Sequence, residues 1–151
     1  MIGAAASILL LTPLLLAISV RDWQEQRIPD LFNFALGAGG FIASASLAVI
    51  SPAWSIASAI AGYAGLWAIK RSYRFIRGFE GIGLGDVKLF AAIGAWVGLE
   101  RLPYVLLVAA AAALLCLPFL KSAQGRFARL PFGPFLCLGH WMTWVFMACS
   151  R

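Results

Sequence analysis

Charge is scarce in this sequence. Only 12% of the 151 residues are Asp, Glu, Lys or Arg, about half the ~25% of an ordinary soluble domain. With 62% hydrophobic residues and a mean hydropathy of +0.90, that scarcity excludes a disordered chain and a typical cytosolic enzyme. Histidine occurs once, at His140, so the paired histidines of a His-Glu-x-x-His metallopeptidase are missing. The cysteines, Cys116, Cys137 and Cys149, form no Cys-x-x-Cys, which removes a zinc ribbon and a disulfide scaffold. They read instead as small buried hydrophobes. Ser44, Ser46, Ser55 and Ser58 have no evident base to make one of them a nucleophile. The net charge of +6 does not indicate nucleic acid, because the basic residues sit in short clusters between apolar runs, as in loops beside anionic lipid.

Long uncharged runs are what the sequence does contain. Residues 1–20, 31–69, 102–120 and 130–150 carry no Asp, Glu, Lys or Arg. A helix needs about 20 residues to cross ~30 Å of hydrocarbon, so 31–69 reads as two spans broken near Ser51-Pro52, where proline disfavours helix in the residue before it. The shorter run 89–99 becomes a span if its helix begins near Gly85. The expected fold is therefore all-α and polytopic, one unit over 1–151, with six transmembrane helices near 2–20, 31–50, 53–69, 85–100, 102–120 and 131–149. The first reads as an uncleaved span, since basic charge follows its apolar core instead of preceding it. Ten of the 12 basic residues fall in the odd connections: Arg21 and Arg27; Lys70, Arg71, Arg74, Arg77 and Lys88; Lys121, Arg126 and Arg129. That bias puts these loops in the cytoplasm and both termini outside. Glycines in the second, third and fourth spans predict close helix approach.

The six carboxylates sort by depth. Glu100 sits beside Arg101 in an outer loop, and Glu25, Asp30 and Glu80 fall in inner loops. Asp22 and Asp86 stand at the inner edges of spans one and four, where an ionisable group is costly and marks a functional site. Around Asp86 the sequence reads Gly81-Ile82-Gly83-Leu84-Gly85-Asp86-Val87-Lys88. Alternate glycines would let another chain approach the carboxylate; the plainer reading makes Asp86 a helix N-cap. No Gly-Lys-Ser/Thr follows, which argues against a phosphate loop. For Asp22 the plainer reading is a solvated turn, paired with Arg21 or Arg27. Brought together, the two carboxylates could share a proton. One, ionised, would activate water while the other, protonated, polarised a scissile carbonyl. Such chemistry needs no metal and no cofactor.

These stretches resemble the type IV prepilin peptidase family. Its Gly-x-Gly-Asp motif is matched by Gly83-Leu84-Gly85-Asp86, with Lys88 two residues on, and the sequence continues similarly through 91–98. Its first motif, an Asp followed by Arg-Ile-Pro-Asn, is matched by Asp22 and Arg27-Ile28-Pro29, with Asp30 in place of Asn. A third match is Pro131-Phe132-Gly133-Pro134-Phe135. The resemblance implies a membrane aspartic endopeptidase of the bacterial inner membrane, with Asp22 and Asp86 catalytic. Asp30 stands as the alternative to Asp22, which is preferred because the family's catalytic position precedes Arg-Ile-Pro by several residues. Gly83, Gly85, Lys88 and Asp30 would shape the cleft or bind substrate. The implied substrate is a pilin-like precursor, cut between a basic leader and an apolar helix on the cytoplasmic face. Glu25, Asp30 and Glu80 would complement the leader's charge, and membrane lipid and the pilus assembly machinery are the implied surroundings. Larger members carry a four-Cys zinc domain between spans one and two and also N-methylate. Here that connection is short, so peptidase without methyltransferase is expected, as in the short Flp/Tad-type forms. The alternatives are a non-catalytic pilus-assembly membrane protein or a small-molecule transporter subunit.

Overall fold

The computed structural model describes residues 2–47, 50–78, 81–124 and 131–149. Its elements are six helices, α1 (Ile2–Glu25), α2 (Asp30–Leu47), α3 (Pro52–Arg77), α4 (Leu84–Val97), α5 (Leu102–Gln124) and α6 (Gly133–Cys149). Local chemistry sets several boundaries. Ser51 caps α3 by accepting the Trp54 N–H at 3.2 Å, and Pro52 follows at the first helical position, where its missing N–H costs nothing. Gly78 ends α3 in the left-handed conformation, φ 77°, and its N–H donates to the Arg74 carbonyl at 2.9 Å; only glycine enters that region without steric cost. The expected break at Ser51-Pro52 is therefore the start of a capped helix.

The expectation that these helices span a membrane is overturned. Among the described residues no helix is long and apolar enough to cross one. The helices do not coincide with the uncharged runs. α1 continues through Arg21, Asp22 and Glu25, and α3 through Lys70, Arg71, Arg74 and Arg77. α4 has 14 residues and α6 has 17, below the ~20 a crossing requires. The inside–outside assignment that rested on those spans falls with them. Residues 1, 48–49, 79–80, 125–130 and 150–151, which include both termini, Glu80, Arg126 and Arg129, lie outside the described residues.

α4 is the centre of the assembly and packs against α2, α3 and α6. Its Val87, Leu89, Ile93 and Val97 are fully buried, together with Ile18, Leu36, Val105 and Leu136 from its neighbours. The expected close approach is realised at Gly94, where an added Cβ would come within 2.7 Å of the Ser58 carbonyl oxygen. Gly65, by contrast, faces open space. Polar side chains fasten these helices: Ser55 Oγ donates to the Ala95 carbonyl (2.8 Å), Ser58 Oγ accepts the Leu99 N–H (2.9 Å), and Trp96 Nε1 donates to the Leu36 carbonyl (2.7 Å). His140 is fully buried and packs edge-on against Trp96, ring centroids 6.0 Å apart. Outside, large apolar side chains such as Leu9, Leu10, Leu107, Leu115 and Phe146 are exposed.

Candidate active site

The two singled-out carboxylates are both buried, Asp22 at 5% and Asp86 at 9% exposure. Asp22 lies on the last turns of α1. The expected pairing with Arg21 does not occur: Arg21 reaches Glu25 instead, one turn along the same helix, at 2.6 Å. That leaves Asp22 turned into the protein, where its Oδ2 accepts the backbone N–H of Gly133, the first residue of α6, at 3.0 Å. An added Cβ at position 133 would sit 2.6 Å from that oxygen, so only glycine allows the backbone this close.

Asp86 is the third residue of α4 and not its N-cap. The cap position belongs to Gly83, whose N–H donates to Asp86 Oδ2 at 3.3 Å. Each carboxylate therefore takes a backbone N–H from the start of a helix, where unpaired donors and the helix dipole favour negative charge.

Burial dominates nonetheless. Burial first and the charge of Asp22 second raise Asp86 to about 7, against the opposing pull of the Gly83 N–H and the Lys70 ammonium. Asp22 is likewise raised by burial and held back by the Gly133 N–H. Ile28 lies beside both Gly85, the residue before Asp86, and Gly133, whose N–H binds Asp22, so the surroundings of the two acids adjoin. The negative charge of Asp22 works against ionisation of Asp86, as a nearby like charge does.

The other expected site residues are placed as follows. Gly83 lies against Asp86 through its N–H, whereas Gly85 faces Ile28. Lys88 and Asp30 pair with each other at 2.6 Å, at 42% and 74% side-chain exposure, joining the starts of α4 and α2 at the surface. Lys70, only 9% exposed, is the cation that acts on Asp86. In the sequence it stands among the loop cations of the third connection; its place directly after the uncharged run, on a helix that continues, is the available signal. Gly133 and Ile28 were read only as motif positions. Cys137, buried on α6, feels both carboxylates, and burial pushes its thiol up to about 12, so it remains a neutral lining group. Beside it, an apolar recess of about 210 Å³ between α1 and α6 is lined by Leu15, Ser19, Pro134 and Trp141. No group of three or more His, Cys, Asp or Glu suited to a metal occurs among the described residues.

Comparison with known proteins agrees with the motifs. The chain is 42% identical over 146 residues to a Burkholderia pseudomallei protein named Prepilin leader peptidase/N-methyltransferase, covering 95% of this chain and 47% of that protein. Proteins of the same name from Aeromonas hydrophila and Neisseria gonorrhoeae are 33% and 32% identical, each over 137 residues, covering 89% and 91% of this chain and 47% of each relative. The chain thus spans about half the length of the curated relatives it matches. No solved structure gives a significant match. Residues 9–118 match the type IV leader peptidase family, and over that extent the chain belongs to it.

Proposed function

We propose that this protein is an aspartic endopeptidase that removes the basic leader from type IV pilin-like precursors. The observation that carries the reading is the buried pair, Asp22 and Asp86, contributed by two helices and electrostatically coupled. Ionised Asp22 is the base that takes a proton from the attacking water. Protonated Asp86 gives its proton to the carbonyl oxygen as the water oxygen bonds to the carbonyl carbon. When the C–N bond breaks, Asp22 passes the proton it took from water to the departing amine and the hydroxyl proton returns to Asp86. The backbone N–H of Gly133 holds Asp22 in its acting orientation, and the N–H of Gly83 does the same for Asp86.

Support for the substrate comes from the family and the names of the relatives. The exposed carboxylates Glu25 and Asp30 follow Asp22 closely in sequence and fit a basic leader. Asp30 serves as a substrate contact in this reading, because its ion pair with Lys88 holds it at the surface. The apolar exterior supports an apolar setting; we assign the chain to the bacterial inner membrane, beside the pilus assembly machinery and with the leader met on the cytoplasmic side. No crossing by its helices forms part of this reading. Methylation is left out of the activity because residues 26–29, the whole connection between α1 and α2, are too few for a domain.

The test is leader cleavage of a co-expressed pilin-like precursor by wild type, Asp22→Asn and Asp86→Asn at equal protein levels. Loss in both variants is the expected result. Normal cleavage by both would remove the aspartates from catalysis and overturn the aspartic reading.

A further inference from the structure

The connection between α1 and α2 holds one buried apolar side chain, Ile28, at 7% exposure. The backbone around it is constrained on both sides. Gln26 has a left-handed φ of 50°, and Pro29 fixes its own φ by its ring. Ile28 is thereby turned inward between two glycines from distant parts of the chain. A Cβ at Gly85 would lie 3.4 Å from Ile28 Cβ and 3.6 Å from its Cγ1, while a Cβ at Gly133 would lie 3.1 Å from its Cδ1. One end of the side chain therefore rests on the residue before Asp86, and the other on the residue whose N–H holds Asp22.

We infer that Ile28 is the spacer that sets the separation of Asp22 and Asp86, a positioning residue touching the backbone that carries each acid. The inference rests on the aspartic peptidase reading for its functional meaning, but not for its geometry. Ile28 is stiff at χ1 because it is branched at Cβ, and its long axis lies between the two supports. A shorter side chain lets the start of α6 and the start of α4 relax against each other, and lets water reach the carboxylates.

Water entry acts on Asp86 in one direction, downward. Its elevation comes first from burial and then from Asp22, and water entry weakens each. The charged and titratable groups facing Asp86 are Asp22 from α1, Lys70 from α3 and the Cys137 thiol from α6. From α2, Asp30 is engaged by Lys88 of α4 itself.

The experiment compares wild type with Ile28→Val, which removes only the Cδ1 methyl facing Gly133, with Ile28→Ala, and with Ile28→Leu, which keeps the volume. Val105→Ala, a truncation at a fully buried α5 position, is the control for general loosening. Two readouts are taken: kcat and KM for leader cleavage, and the pH midpoint of the protonated-carboxyl infrared band that Asp86→Asn abolishes. Ile28→Val should lower kcat about tenfold and Ile28→Ala about a hundredfold, with KM within about twofold, as expected of misplaced catalytic groups. The midpoint in Ile28→Ala should fall by about one pH unit, with Ile28→Leu between it and wild type and Val105→Ala unmoved. An unchanged midpoint in Ile28→Ala, or an equal shift in Val105→Ala, overturns the spacer role. If wild type proves unable to cleave, the peptidase reading fails, while the infrared midpoint still decides for or against the spacer.

Discussion

Replacing Asp86 by Asn should stabilise the protein at neutral pH, although it removes a proposed catalytic group. In the fold, burial and Asp22 lift this carboxyl from 3.8 to about 7; in the unfolded chain it returns to the ordinary value. An acid whose folded pKa is raised disfavours the fold in its ionised form, so the cost is absent below about pH 4 and grows until the folded group also ionises, near pH 7. At about 1.4 kcal/mol per pH unit, the gap amounts to about 4 kcal/mol above pH 7. Asn has nearly the same shape, its oxygen can accept the Gly83 N–H, and it carries no charge at any pH. The assay is thermal unfolding of wild type and Asp86→Asn from pH 4 to 8. The two should nearly coincide at pH 4, and the variant should gain on the order of 10 °C by pH 8, at about 2–4 °C per kcal/mol for a chain of this size. A difference that stays constant with pH, or a variant less stable at pH 8 than wild type, would refute the reasoning.

Other substitutions probe the remaining contacts. Gly133→Ala drives a Cβ to 2.6 Å from Asp22 Oδ2; it should cost cleavage at least tenfold and stability about 1–3 kcal/mol, seen in kcat and chemical unfolding. Gly94→Ala places a Cβ 2.7 Å from the Ser58 carbonyl oxygen and should destabilise by a similar amount without moving the pH dependence of cleavage. Asp30→Asn breaks an exposed ion pair with Lys88. Such pairs contribute about 0.2–1 kcal/mol, so unfolding should barely change and any effect should vanish in high salt. Wild-type cleavage should decline as pH rises through about 7, where Asp86 loses its proton; a pH–rate profile flat from 6 to 9 would contradict the assignment.

Several features were legible because they depend on local chemistry. The six helices, the break at Ser51-Pro52 and the two unusual carboxylates follow from apolar runs, capping residues and the cost of charge in apolar surroundings. The membrane crossing was not, because it was inferred from uncharged runs and helices do not stop at charges. Arg21 and Glu25 pair across one helical turn, which carries α1 past Asp22, and α3 carries its basic cluster as helix to Gly78. Asp22 was read beside its sequence neighbours, whereas its partner is Gly133, 111 residues away. Nothing local marks such a contact. The same is true of Lys70, whose role depends on how α3 packs beside α4, and of Ile28, whose importance lies in the two glycines it separates.

The central claim is that Asp22 and Asp86 act as one catalytic unit. It is tested most directly by cleavage rates of the two single Asn variants and the double variant, measured on one prepilin-like substrate at matched protein levels. Groups that work together lose nearly everything with the first removal, so the double variant should be no slower than the worse single one. Losses that multiply, or wild-type cleavage in either single variant, would contradict the account.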